Sequence, residues 1–256
     1  MLFTWWRNRR RRKILASPMP DHWAAILDQN VSQLSRLTDT QRALLYQRVQ
    51  IFFQEKYWEG CNGFEITEEV KLTIAGQACL LTLGFATDCF DRLQTVLVYP
   101  DTYLAREEML NSIGVLTEGT SFRLGESWGQ GPIVLSWESI REGGQIPDDG
   151  RNVVIHEFAH YYDAIDRQFN GTPLLSGPEE YRRWNEVMTR EFQRLVSQVQ
   201  QGQETFIDPY GSTNPAEFFA VCSEHYFEQP CLMQEYSLDL YETLRMFYRQ
   251  DPARQY

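Results

Sequence analysis

The run His156-Glu157-Phe158-Ala159-His160 constrains this chain more than any other feature. It follows the apolar stretch Val153-Val154-Ile155 and contains no proline, so the spacing predicts a helix from Asn152 to about Asp166. Four residues make slightly more than one helical turn, and both imidazoles then project from one face toward a single metal ion. Half of the four histidines in the chain lie in this run. Two imidazoles leave a catalytic metal short of the three protein ligands it normally takes, so a third must be found further along the chain. Glu157, beside a ligand but poorly placed to coordinate, is the candidate proton acceptor.

Four downstream residues compete for the third position: Asp163, Glu217, Glu224 and His225. Asp163 follows His160 by three residues on the same helix, which suits a hydrogen bond to a ligating imidazole better than reach to the metal. Glu217 stands in the first turn after Asn214-Pro215, an N-cap followed by proline at the first helical position. Its neighbours Phe218-Phe219-Ala220-Val221 are apolar, and a carboxylate buried there without a partner would be costly. Glu224, seven residues on, shares that face and is either the alternative ligand or a support for the histidines. His225 points elsewhere and reads as a surface or core histidine.

The rest of the chain supplies a scaffold. Thr38-Asp39-Thr40-Gln41 has capping-box spacing ahead of a helix that runs to about Lys56, and a second helix spans Thr67 to Gly84. Strand-like runs occupy Thr95 to Pro100 and Gly131 to Trp137, with a weaker one near Ser121 to Leu124. Gly143-Gly144 and Pro147 to Gly150 mark a loop before the histidine helix. A long amphipathic helix covers Glu179 to Gln198, and the helix bearing Glu217 continues to about Phe227. An extended substrate lying over the metal would pair with an edge strand. Gly131 to Trp137 serves as that edge or as a buried core strand.

Charge is unevenly spread. Residues 1 to 13 carry five Arg and one Lys with no acid, and taking this +6 from a total of −11 leaves −17 on the remainder. Residues 1–20 therefore read as a basic flexible tail closed by Pro18 and Pro20, and 21–256 as a single domain. The acidic body excludes nucleic acid as its partner, whereas the tail, with Trp5 and Trp6, suits weak contact with an anionic membrane surface. Five cysteines without C-x-x-C spacing, and no apolar leader after the basic run, point to reduced thiols in the cytoplasm.

Taken together, His-Glu-Phe-Ala-His-x-x-Asp at 156–163, Asp208-Pro209-Tyr210 and Asn214-Pro215-Ala216-Glu217-Phe218-Phe219-Ala220-Val221-x-Ser223-Glu224 resemble the Mlc titration factor A family. Those proteins are gluzincins whose site is related to that of the lethal factor toxin protease. Val96 to Pro100 and Ser127 to Trp137 extend the likeness over most of the chain, fading in the first 20 residues. The resemblance implies an α+β fold: a zincin-like metallopeptidase core, a small mixed sheet with its active-site helix, wrapped by additional N- and C-terminal helices. It implies one Zn²⁺ per chain on His156, His160 and Glu217, Glu157 as general base and Tyr210 steadying the oxyanion. It further implies an aminopeptidase-like activity on peptide or protein substrates and binding of a transcriptional repressor of the Mlc type. The competing expectation is a regulator-sequestering protein in which the metal site is secondary.

Overall fold

The computed structural model describes residues 2–86, 90–101 and 131–255. In chain order its elements are α1 (Leu2–Leu15), α2 (Asp21–Asn30), α3 (Asp39–Glu55), β1 (Tyr57–Gly60), α4 (Glu68–Leu80), β2 (Thr95–Tyr99) and β3 (Ile133–Ser136). There follow α5 (Trp137–Gln145), α6 (Val153–Asp163), α7 (Pro178–Gln200), α8 (Pro215–Glu228), α9 (Pro230–Tyr236) and α10 (Leu238–Tyr248). The expected starts are chemically made. Thr38 Oγ1 accepts from the Gln41 N–H while Gln41 Oε1 accepts from the Thr38 N–H, closing the capping box of α3. Thr67 Oγ1 caps α4 through the Val70 N–H.

The three described strands pair in the order β1-β2-β3, and every pairing is parallel. A mixed sheet was expected, and among the described residues there is none. The reason lies in the connections: β1 returns to β2 through α4, and a helical crossover brings two strands in parallel. β1 escapes sequence reading because four residues directly after a helix show no usable alternation. β3 stands at one end of the described sheet; the weak strand expected near Ser121 to Leu124 lies outside the described residues.

The loop expected at Gly143-Gly144 is instead the last part of α5, which begins where Ser136 Oγ accepts from the Ser139 N–H. Both glycines are buried there. A Cβ on Gly144 would stand 2.3 Å from the Asn30 carbonyl oxygen and 2.5 Å from Gln77 Nε2. Gly144 thus allows α5 to lie against α2 and α4, and Gly143 lets Arg151 and Asn152 pass close by.

Helix α1 corrects a second expectation. The segment read as a flexible tail is helical, and Arg11 is buried between Glu55 at the end of α3 and Asp91, 2.6 Å from each, with Arg7 2.9 Å from Asp91. Periodicity fails to reveal this docking because the contacts are ionic rather than apolar.

At the centre, Phe158 of α6 packs on Phe52 of α3 and on Phe90, with ring centroids 5.7 and 4.5 Å apart. Every residue of α8 from Ala216 to Glu228 is buried. Such a helix has no solvent face, so each of its polar side chains requires a protein partner. No helix among the described residues is long and apolar enough to cross a membrane.

Candidate metal centre

Two capped helix starts aim the site. Asn152 Oδ1 accepts from the Ile155 N–H at 3.0 Å and opens α6, while Asn214 Oδ1 accepts from Ala216 and Glu217 N–H groups at 2.9 and 3.0 Å and opens α8. The second cap holds Glu217 in the first turn with its backbone fixed. Helical spacing brings His156 and His160 together nearly at right angles, with ring centroids 4.8 Å apart. Their Nε2 atoms lie 3.2 Å from each other, and Glu217 Oε2 lies 3.0 Å from that of His156 and 3.3 Å from that of His160.

These separations test whether a metal fits. Four ligands placed tetrahedrally about zinc at roughly 2.0 to 2.1 Å stand about 3.3 Å from one another, and the three measured edges match that triangle. Electrostatics point the same way. His156 Nδ1 lies 2.8 Å from Glu224 Oε1; with the proton on that side, its Nε2 presents a lone pair to a carboxylate oxygen and to another imidazole. A cation between the three relieves that repulsion. In its absence a proton must serve: burial opposes charge on His156, yet Glu224 and Glu217 outweigh it and hold its pKa well above the ordinary value. Burial acts on Glu217 too, but hydrogen bonds from His156 and His160 prevail and bring its carboxyl down to about 2.

Glu224 is therefore placed as the orienting partner of His156, not as a ligand, and its Oε2 accepts from the Asn152 N–H at 2.6 Å. One carboxylate thus ties the start of α6 to the middle of α8. Glu157 lies on the same helical turn as the histidines, and burial pushes its carboxyl above the usual range. Asp163 departs from expectation. Its oxygens accept from the Gly171 and Thr172 N–H groups at 3.0 and 2.9 Å, so it fixes the loop after α6, while His160 Nδ1 has no hydrogen-bond partner among the described residues.

Tyr210, 53% exposed, lies in the Pro209–Ser212 turn with its ring centroid 6.1 Å from that of His156. The turn is built from below. Asp208 Oδ1 accepts from the Tyr210 N–H at 2.9 Å, and the Asp208 N–H points at His225 Nε2, 3.3 Å away. Nδ1 of His225 faces Gln229 Oε1 at 3.1 Å, and burial pushes its pKa down, as suits a neutral ring that accepts an N–H. Gly150, at φ +80°, passes so close that a Cβ would meet this ring at 2.5 Å. His225, expected as a surface or core histidine, is a core one; its support of the Asp208 turn was missed, and the signal was its place on a helix with no exposed face. Asn152 and Glu228 were likewise missed: Glu228 Oε1 accepts from Asn152 Nδ2 at 3.1 Å, a contact between residues 76 apart in sequence.

The geometry agrees with the comparisons to known proteins. The profile of the family described as glucose-regulated metallo-peptidase M90 matches residues 3–249. The chain belongs to this M90 family. An uncharacterized protein of Synechocystis sp. is 40% identical over 248 residues, covering 96% of this chain and 90% of that protein. Mlc titration factor A of Pectobacterium atrosepticum is 31% identical over 235 residues, 91% of this chain and 87% of that protein. The same-named protein of Escherichia coli is 30% identical over 228 residues, 88% and 85% respectively. The likeness thus covers residues 3–249 of this chain, and metallopeptidase membership implies a metal ion for which His156, His160 and Glu217 form a fitting donor set.

Proposed function

We propose that the chain is a zinc-dependent peptidase, aminopeptidase-like in its activity, with His156, His160 and Glu217 as ligands. The observation that carries this reading is the convergence of those three donor groups within 4.8 Å of one another, on two helices whose first turns are capped. Zinc held there would supply Lewis acidity toward water and toward the scissile carbonyl. The chain's own residues do the rest. Glu157, its carboxyl raised by burial, accepts a proton from the attacking water and returns it to the leaving amine. Tyr210 donates its phenol O–H to the carbonyl oxygen as charge develops. Glu224 holds the His156 ring in register. The compartment proposed is the cytoplasm, in keeping with five cysteines that show no C-x-x-C spacing.

The test is cleavage of a panel of aminoacyl and longer peptide reporters by wild type and Glu157→Gln. The variant keeps its metal and fold while activity falls by roughly 10³- to 10⁴-fold. Unchanged turnover sinks the mechanism. A second reading, binding of a transcriptional repressor of the Mlc type, is supported by the names of the relatives. Under it, Glu157→Gln captures the repressor as well as wild type does; failure of both proteins to bind it removes that reading.

A further inference from the structure

Helix α1 has two unlike faces. Toward the body, Arg11 and Arg7 are engaged by Glu55 and Asp91, and Arg10 Nη2 donates to the Gln54 carbonyl at 3.2 Å. At about 100° per residue, Trp5, Trp6, Arg9, Arg12 and Lys13 fall together on the opposite side. All five are exposed, the two indoles by 49% and 61%. The helix contains no acid, and no ion pair among the described residues uses Arg9, Arg12 or Lys13. Arg9 lies over the Trp5 ring, 5.4 Å from its centroid, and Trp6 meets Trp5 edge-on at 5.2 Å.

From this we infer that α1 seats the protein on an anionic lipid bilayer. Three unpaired cations provide the charge complementarity, and two exposed indoles provide the amphipathic rings that settle at the level of lipid headgroups. A single-stranded nucleic acid would need free indole faces for stacking; here Arg9 covers a face of Trp5, and Trp6 lies nearly perpendicular to that ring. The body's net charge of −17 does not cancel the attraction. A helix about 10 Å across holds the body roughly one Debye length from the plane, where its repulsion is largely screened. The ion pairs of Arg7 and Arg11 matter to this arrangement because they turn the Trp and Arg side outward.

The experiment is sedimentation of the full chain with vesicles of phosphatidylcholine alone or with a third of the lipid as phosphatidylglycerol. Binding is expected only to the anionic vesicles, weakening as salt rises. Arg9→Glu, Arg12→Glu and Lys13→Glu combined weaken it by at least about 100-fold. Trp5→Ala with Trp6→Ala weakens it by about tenfold while leaving its salt dependence in place. Circular dichroism and melting near wild type verify that each variant is folded. Equal binding to neutral vesicles, no binding to either kind, or tighter binding to a single-stranded oligonucleotide than to the anionic vesicles overturns the inference.

Discussion

The α6–α8 pair and α1 both place charged side chains where water is scarce, yet they do so by opposite routes. Between α6 and α8 the charges of the candidate metal centre converge on one point, Glu217 answered by His156 and His160, and Glu224 by His156 and the Asn152 N–H. In α1 a single buried guanidinium serves two carboxylates, and the outward cations stay in water. The first arrangement concentrates charge for chemistry and gains from a cation at its centre. The second spends one arginine on docking a helix and leaves its remaining charge outward.

Replacing side chains on the two sides should expose that contrast. After Glu157→Gln, the largest effect falls on the phenol beside His156. Tyr210→Phe keeps the ring and the turn that Asp208 and His225 support, so metal content and melting stay near wild type while kcat falls by about 10² to 10³ and KM changes little. Loss of activity in step with loss of zinc would instead make Tyr210 a support of the ligands. Next comes Glu224→Gln, which preserves shape but removes the charge behind His156. Metal affinity should drop roughly 10- to 100-fold with stoichiometry recovered at saturating zinc, and an unchanged affinity in competition with a chelator would deny Glu224 its orienting part. The smallest effect belongs to α1. Arg11→Ala strands Glu55, leaves Asp91 to Arg7 alone and should cost about 2 kcal/mol, visible as a melting temperature lower by several degrees, without change in kcat. Arg12→Ala, on the exposed side, should lie within about 0.5 kcal/mol of wild type. Equal melting of the two variants would mean that α1 is not held by its ion pairs.

Legibility in the sequence followed the range of the interaction. The capping box at Thr38, the Asn214 cap and the four-residue spacing of the histidines are all settled within one or two turns, and they could be read directly. The strands Thr95–Tyr99 and Ile133–Ser136 also stood out, as apolar β-branched runs bounded by Pro and Gly. What failed was set by partners far along the chain. Gly143 and Gly144 look like a loop until Arg151 and Asn152 are known to press on the first, and Asn30 and Gln77 on the second. Arg11 looks like one arginine among several until Glu55 and Asp91 are brought to it. In the site, the grouping of His156, His160 and Glu217 was legible from spacing and from the cost of burying a lone carboxylate. The choice of roles for Glu224 and Asp163 was not. Both follow the histidine motif with plausible spacing, and only the fold gives one an imidazole and the other two loop N–H groups.

The central claim is that α8 contributes a metal ligand through its first-turn carboxylate. Metal analysis of purified protein, wild type beside Glu217→Ala and each prepared with excess zinc and then desalted, tests it most directly. One zinc per chain in wild type and a sharp fall in Glu217→Ala, with the variant still folded by circular dichroism, is the result predicted. Full zinc occupancy in Glu217→Ala would contradict it and hand the third position to another carboxylate.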